Sequence, residues 1–300
     1  MIAVPRPLGT LAFLLAWLVP WRPAFRVRAA KSNLVFFVHH RDTIGRHIAK
    51  YGSHEPLVTR WLGEYLSTAK SGVVIDIGAN VGWHALHAAR QGNVEAVVAF
   101  EPDPLNAWLL ARNMAENGID KAIIDARAIG AKPGVAQLFR YKSSNFGRHS
   151  VAKDHGLGSR SVPLTDLDSA LDNLGFGNRH VALIKIDVEG YEPAVIAGAT
   201  HTLGRTDAII LEYSPDLSRA GALSTDDMTG RLYDAGFVPF ALRNTGGVVR
   251  IERDELRGFE GSLDLIWLKN EIVRTTTAAE RGTISLREIA EQNKRIVKAI

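Results

Sequence analysis

Four carboxylates and two glycines carry the chemistry legible in this chain. Residues Val73 to Leu86 read VVIDIGANVGWHAL: a β-branched run ending near Asp76, a tight turn holding Gly78 and Gly82, then helical spacing. Glycine at a strand-to-helix turn lets the backbone approach a ligand closely, and the first N–H groups of the helix offer positive potential to an anionic group. The spacing Gly78-x-x-x-Gly82 is not the G-x-G-x-x-G of dinucleotide dehydrogenases, and no Lys-Ser or Lys-Thr follows as in a Walker loop. A second acid, Glu101, ends the next apolar run in FEPDP. In an open α/β sheet that edge presents a carboxylate to ribose hydroxyls.

The remaining acids lie in LIKIDVEGYEPAVIAGA, Leu183 to Ala199, where Asp187 ends a strand-like run, Glu189 and Glu192 follow, and Gly190 permits a turn. With strand order 3-2-1-4-5, strands one and four are neighbours and Asp76 and Asp187 converge on one crevice. A ligand with a ribose and an amino-acid end satisfies both Asp76 and Glu101. S-adenosylmethionine has both: Asp76 would face its ammonium, amides of the turn through Gly78, Ala79, Asn80 and Gly82 its carboxylate, and Glu101 its ribose diol. Attack of a hydroxyl on a sulfonium methyl needs in-line positioning and loss of a proton, for which Asp187 is the first candidate base and Glu189 the second. Glu212, ending the following strand, is a further candidate on the acceptor side, and Glu192 is expected to cap the next helix. Competing readings are a nicotinamide-dependent oxidoreductase, which the missing G-x-G-x-x-G disfavours, and a nucleotide-binding module without catalysis.

These residues need a framework that holds strand ends side by side. Short apolar runs at Val73–Ile77, Ala96–Phe100, Ala122–Asp125, Val181–Asp187, Ala208–Tyr213 and Leu263–Leu268 alternate with helical stretches at Pro56–Ala69, Val81–Gln91, Pro104–Asn117, Glu192–Ala199 and Thr225–Ala235. That alternation predicts an α/β fold with a mainly parallel sheet covered on both faces. Residues 131–165 break the rhythm with Gly, Ser, Lys and Arg and shorter strand-like runs at Val135–Tyr141 and Arg160–Leu164, the composition of an inserted lid. From Glu271 the tail looks separate. Ser285 with Glu288 spells a capping box, and Leu286, Ile289, Ile296, Val297 and Ile300 trace a helix that would cover a sheet edge.

Composition bounds the rest. At 300 residues with 46% hydrophobic and 23% charged side chains, the chain has material for an ordinary packed core. The absence of cysteine excludes disulfides, zinc–thiolate sites and thiolate catalysis. Lys and Arg number 36 against 32 Asp and Glu, too small an excess to imply a nucleic-acid partner. His84 and His87, like His39 and His40, lack a third ligand, and although Asp187, Glu189 and Glu212 are of a type that suits Mg²⁺, no dedicated metal site is expected. Leu8 to Trp21 is a 14-residue uncharged run flanked by arginines, shorter than the roughly 20 residues of a membrane-spanning helix. It reads as a packed helix or a membrane-surface anchor.

The chain resembles the FkbM family of S-adenosylmethionine-dependent methyltransferases. The resemblance rests on DIGANVG at Asp76 to Gly82, FEPDP at Phe100 to Pro104 and IKIDVEGYE at Ile184 to Glu192, with Asp42 to Pro56 and the loop residues Asn145, Gly147 and Ser150 as further matches. It covers roughly Asp42 to Pro215. It implies a class I methyltransferase (Rossmann-like) fold with a seven-stranded sheet, one strand antiparallel, and O-methylation of a hydroxyl on a sugar, glycan or secondary metabolite. By position it adds Asp125 as a neighbour of the adenine and Glu55 as a residue closing over the donor. Asn145, His149 and Ser150 fall on the acceptor side. His54 stands where an aromatic often precedes that Glu and Pro. Three regions are expected: a lead-in over 1–55, the methyltransferase domain over 56–270, and a helical tail over 271–300. A cytosolic donor places the domain in the cytoplasm, with membrane contact only through Leu8 to Trp21.

Overall fold

The structure, a computed structural model, describes residue 11 and residues 24–39, 42–141, 149–152, 154–218, 223–275 and 286–299. Leu8 to Trp21, apart from Leu11, lies outside the described residues, as do Asn145, Gly147 and Ser285. Among the described residues no helix is long and apolar enough to cross a membrane.

Eight strands form the central sheet: β3 (Gly72–Ile77), β4 (Val94–Phe100), β5 (Ala122–Asp125), β9 (Val181–Ile186), β10 (Thr206–Tyr213), β11 (Phe237–Leu242), β12 (Val248–Arg250) and β13 (Leu263–Lys269). Their order is β12-β11-β13-β10-β9-β3-β4-β5, so the first five run 3-2-1-4-5 as the sequence predicts. Pairing is parallel from β5 through β10, and β13 lies antiparallel between β10 and β11. That is the class I methyltransferase arrangement. The expected seven strands become eight because β12 turns back as a short antiparallel edge on β11.

Every residue of β3 and β9 is buried, which is why both read as nearly unbroken apolar runs. Two large clusters, one on each face, close the core: Ile75, Ile184 and Trp267 belong to one, Val97, Leu183 and Phe240 to the other. Leu286, Ile289 and Ala290 of the C-terminal helix (Leu286–Ala299) join the first cluster.

Two smaller sheets flank this frame. Strands β1 (Ala24–Arg28) and β2 (Val35–His39) form an antiparallel hairpin. Its open edge is satisfied by a helix: Asn113 and Asn117 of Pro104–Glu116 and its cap each accept from and donate to the β2 backbone, at Phe37 and Val35. In the region read as an insertion, β8 (Ser159–Thr165) and β7 (Gly134–Phe139) join β6 (Ala128–Ile129), which precedes it, in a three-stranded sheet with its own small core at Ala136, Leu138 and Val162.

Candidate functional site

The carboxyl ends of β3, β4 and β9 meet where the register places Asp76 beside Lys185 and Ile77 beside Phe100. The turn after β3 is fixed from within. Gly78 and Ala79 donate their amides to the Phe100 carbonyl, Asn80 donates to Glu101 Oε2 at 2.7 Å, and Gly82 donates to Ala79. These amides are therefore committed inside the turn, which corrects the expectation that they face a ligand carboxylate. Gly78 has φ +80°, and a Cβ there would collide with the Asp187 carbonyl, so only glycine lets β3 and β9 approach this closely.

Asp76 is 2% exposed, and among the described residues neither carboxylate oxygen has a hydrogen-bond partner. Burial pushes its pKa up to about 6, with Lys185 pulling it back and Asp187 adding to the rise. An orphaned buried carboxylate is costly unless something supplies donors, and a ligand ammonium supplies them. Glu101 is also buried, accepts from Asn80 and from Asp103 (2.9 Å), and is held up to about 7 by burial against those two bonds.

Two cavities share Gly78, Asn80 and Asp187. The first, about 50 Å³, is lined by Glu101, Arg127, Leu138, His149 and Tyr191. The inserted sheet covers it. His149 Nδ1 lies 3.5 Å from Asp103, and Ser150 donates its hydroxyl to the Glu189 carbonyl at 2.7 Å. Asp125 lines neither cavity. Both its oxygens hold the Arg127 guanidinium, with Nε 2.9 Å from Oδ1, and Arg127 lines the first cavity. The two-residue spacing to an acid was its signal in the sequence.

The second cavity, about 170 Å³, is lined by His54, Glu55, Trp83, His84, Lys185 and Glu189, among others. Three non-glycine residues with left-handed backbones border it: Glu55 (φ 42°), Asn80 (φ 52°) and Glu189 (φ 53°). Such strain concentrates where function over-determines geometry. Glu55 is clasped between two imidazoles, 3.3 Å from His54 and 3.4 Å from His84. Burial would raise its pKa, but His54, by charge and hydrogen bond, and Lys185 outweigh it and hold the carboxylate below its usual range. His84 is kept neutral by burial and by Lys185.

Lys185 organises this end of the site. Its ammonium donates to Asp187 Oδ2 at 3.0 Å, and despite burial it stays charged above the usual lysine range because Asp187, Asp76 and Glu55 surround it. The signal was present in LIKID, where a lysine interrupts an apolar strand that has no room for an unpaired charge.

Glu192 is fully buried and accepts from the amides of Val188 and Gly190 in the loop before its helix, not from the helix's own first amides, which corrects the expectation that it caps that helix. Glu212 accepts from Ser262 at 2.5 Å and pairs in register with Asp264 on β13. Burial, then Glu55, Asp187 and Glu212, push the Asp264 carboxyl well above its ordinary value. The sequence reading missed Asp264; an acid inside LDLIWL was its trace. Among the described residues no group of three or more His, Asp or Glu side chains forms a metal-holding cluster. A larger cavity, about 720 Å³, opens at the amino ends of β9 and β10 near Trp61, Tyr65 and Asp207, away from the glycine turn and its acids.

Residues 76–239, more than half of the chain, match the Methyltransferase FkbM domain family. Hexuronic acid methyltransferase AglP of Haloferax volcanii is 27% identical over 141 residues, which are 47% of this chain and 55% of that protein. The chain thus matches little more than half the length of that relative. Among solved structures, SMU.1697c of Streptococcus mutans in complex with SAH has a TM-score of 0.41 at 10% identity over 70% of this chain and 96% of that one. The N-terminal domain of EvdMO1, in the presence of SAH and D-fucose, has a TM-score of 0.42 at 13% identity over 88% and 98%. With more than half of its length matched to that domain, the chain belongs to the FkbM methyltransferase family.

Proposed function

We propose that the protein methylates a hydroxyl group of a sugar, free or within a glycan or secondary metabolite. The observation that carries this reading is Asp187, a carboxylate at the junction of the two cavities, fixed by Lys185 and beside strained Glu189. The curated relative, named for a sugar acid, supports the acceptor class.

In this reading Asp76 receives the donor's ammonium, Glu101 accepts from the ribose diol, and Arg127 borders the base. Ala79, Asn80 and the glycines at 78 and 82 shape the turn around it. The donor supplies an electrophilic methyl on a sulfonium. Asp187 takes the hydroxyl proton as the acceptor oxygen attacks, and Lys185 holds the Asp187 carboxylate in place for that transfer. Glu189 is the alternative base. Glu55 closes over the donor, His149 and Ser150 tie the insertion over the site, and Glu212 with Asp264 extends it. The three acids fixed at one crevice disfavour a module that binds without catalysis.

The test is methyl transfer. Purified protein with isotope-labelled S-adenosylmethionine and a source-cell extract is expected to place label on a sugar oxygen, identified by mass spectrometry. Asp187→Asn should keep S-adenosylhomocysteine binding and lose about 10²- to 10⁴-fold in turnover. Label on nitrogen or carbon would refute the O-methyl assignment, and full turnover by Asp187→Asn would refute the base.

A further inference from the structure

Residues 149–151 of the inserted region touch both cavities. His149 and Val151 line the first, beside Glu101 and Arg127, and Val151 also packs on the small core of the inserted sheet. Ser150, between them, turns the other way, as alternate side chains of extended backbone do. It is 1% exposed, and its hydroxyl donates to the carbonyl of Glu189, which lines the second cavity. Ser150 is itself anchored. Its backbone pairs with Phe139 at the end of β7, donating at 3.1 Å and accepting at 2.8 Å, and its Oγ accepts from the Ala152 amide at 3.0 Å.

The loop on the other side of this contact presents both candidate bases. Its amides are held by their own element: Asp187 donates to the Ile77 carbonyl at 3.1 Å, and Val188 and Gly190 donate to the Glu192 carboxylate at 3.0 Å. Glu189 stands among them with a left-handed backbone (φ 53°), followed by Gly190 at φ 100°. A non-glycine residue keeps that conformation only where contacts hold it. The 2.7 Å bond from Ser150 fixes the peptide plane between Glu189 and Gly190. Losing it frees that plane to turn, which swings the Glu189 side chain and loosens Asp187 two residues before it. Resting on the reading of Asp187 and Glu189 as the loop that accepts the proton, we propose that Ser150 is a positioning residue for methyl transfer. Through its hydroxyl the inserted sheet sets the geometry of that loop, so the transfer step depends on it and donor affinity does not.

The experiment uses the full chain, isotope-labelled S-adenosylmethionine and a source-cell extract in fixed excess as the acceptor source. Ser150→Ala is expected to keep S-adenosylhomocysteine affinity, by titration calorimetry, and the apparent KM for the donor within about twofold, while the rate at saturating donor falls at least about tenfold. Ser150→Thr, which retains the hydroxyl, should recover most of that rate. In an Asp187→Asn background the Ser150→Ala change should cost less than about threefold, because both act through one loop. Hydrogen exchange of the S-adenosylhomocysteine complex reads the loop without an acceptor: protection across residues 188–191 should fall about tenfold in Ser150→Ala and hold in Ser150→Thr. A full rate with unchanged exchange in Ser150→Ala, an equal loss in Ser150→Thr, or a donor affinity that falls with the rate overturns the proposal. Full turnover by both Asp187→Asn and Glu189→Gln overturns instead the base reading on which it rests.

Discussion

Asp76 shows how one side chain links burial to ligand binding. Its carboxyl is buried without a hydrogen-bond partner among the described residues and is pushed up to about 6, whereas pairing with an ammonium requires the carboxylate. Below that pH the donor must displace a proton. Affinity for S-adenosylhomocysteine, followed by titration calorimetry, is therefore expected to fall about tenfold per pH unit under pH 6 and to level above it. Asp76→Asn, of equal shape, should weaken binding by about ten- to a hundredfold at pH 7.5 and abolish the step near pH 6. Any step near pH 7 contributed by Glu101 would remain. Equal affinities of both proteins at pH 7.5 would remove Asp76 from the donor site. Lys185 poses the converse case: Lys185→Met strands Asp187, Asp76 and Glu55 without their shared cation. The expected loss is about 3–5 kcal/mol, read from the denaturation midpoint, with Lys185→Arg recovering part of it.

Among the elements, the β1–β2 hairpin is held by side chains far along the chain. Asn113 is fully buried and joins three backbone groups: it accepts from Phe37 N at 2.6 Å and donates to Phe37 O and Val81 O. Through Val81 the hairpin is tied to the loop that carries Asn80. Asn113→Ala leaves those groups unpaired and should cost about 2–4 kcal/mol, with hydrogen exchange rising first in β2. Unchanged protection there would show that the hairpin stands without the asparagine ladder. None of this was legible in the sequence, because two asparagines four apart on a helix look like solvated surface until the strand beside them is known. The elements that local pattern does specify were readable. Strands β3, β4, β9, β10 and β13 announce themselves as largely buried apolar runs, and β5 as a half-buried apolar run at the sheet edge. Strand β11 escaped notice because Pro239 interrupts FVPFAL, and β12 because three residues carry no period.

At the scale of the whole molecule, the acids of the site were legible and their electrostatic setting was not. Asp76, Glu101 and Asp187 end apolar runs, a local signal. The burial that shifts their titration, and the Lys185 and Asp264 side chains that couple to them, arise only when five strand ends are brought together. The same burial sets how stability depends on pH. Glu101 titrates near 7, Glu192 near 8 and Asp264 well above its ordinary value, each raised first of all by burial. An acid raised in the folded state keeps a proton that the unfolded chain has released, so its stabilisation is lost as pH climbs through the folded value. The lowered histidines His47, His84 and His87 act in the opposite sense, but only below their unfolded value of about 6.5. Lowered Glu55 acts lower still, below the ordinary carboxylate range, and Lys185 only above the ordinary lysine range. Between pH 6.5 and 8 the raised acids therefore decide. The ligand-free protein should lose about 2 kcal/mol over that interval, a few degrees in thermal midpoint by scanning fluorimetry. Glu192→Gln, which still offers an oxygen to the amides of Val188 and Gly190, should flatten most of that slope. A midpoint constant or rising from pH 6.5 to 8 would show that these carboxyls are not protonated in the folded chain.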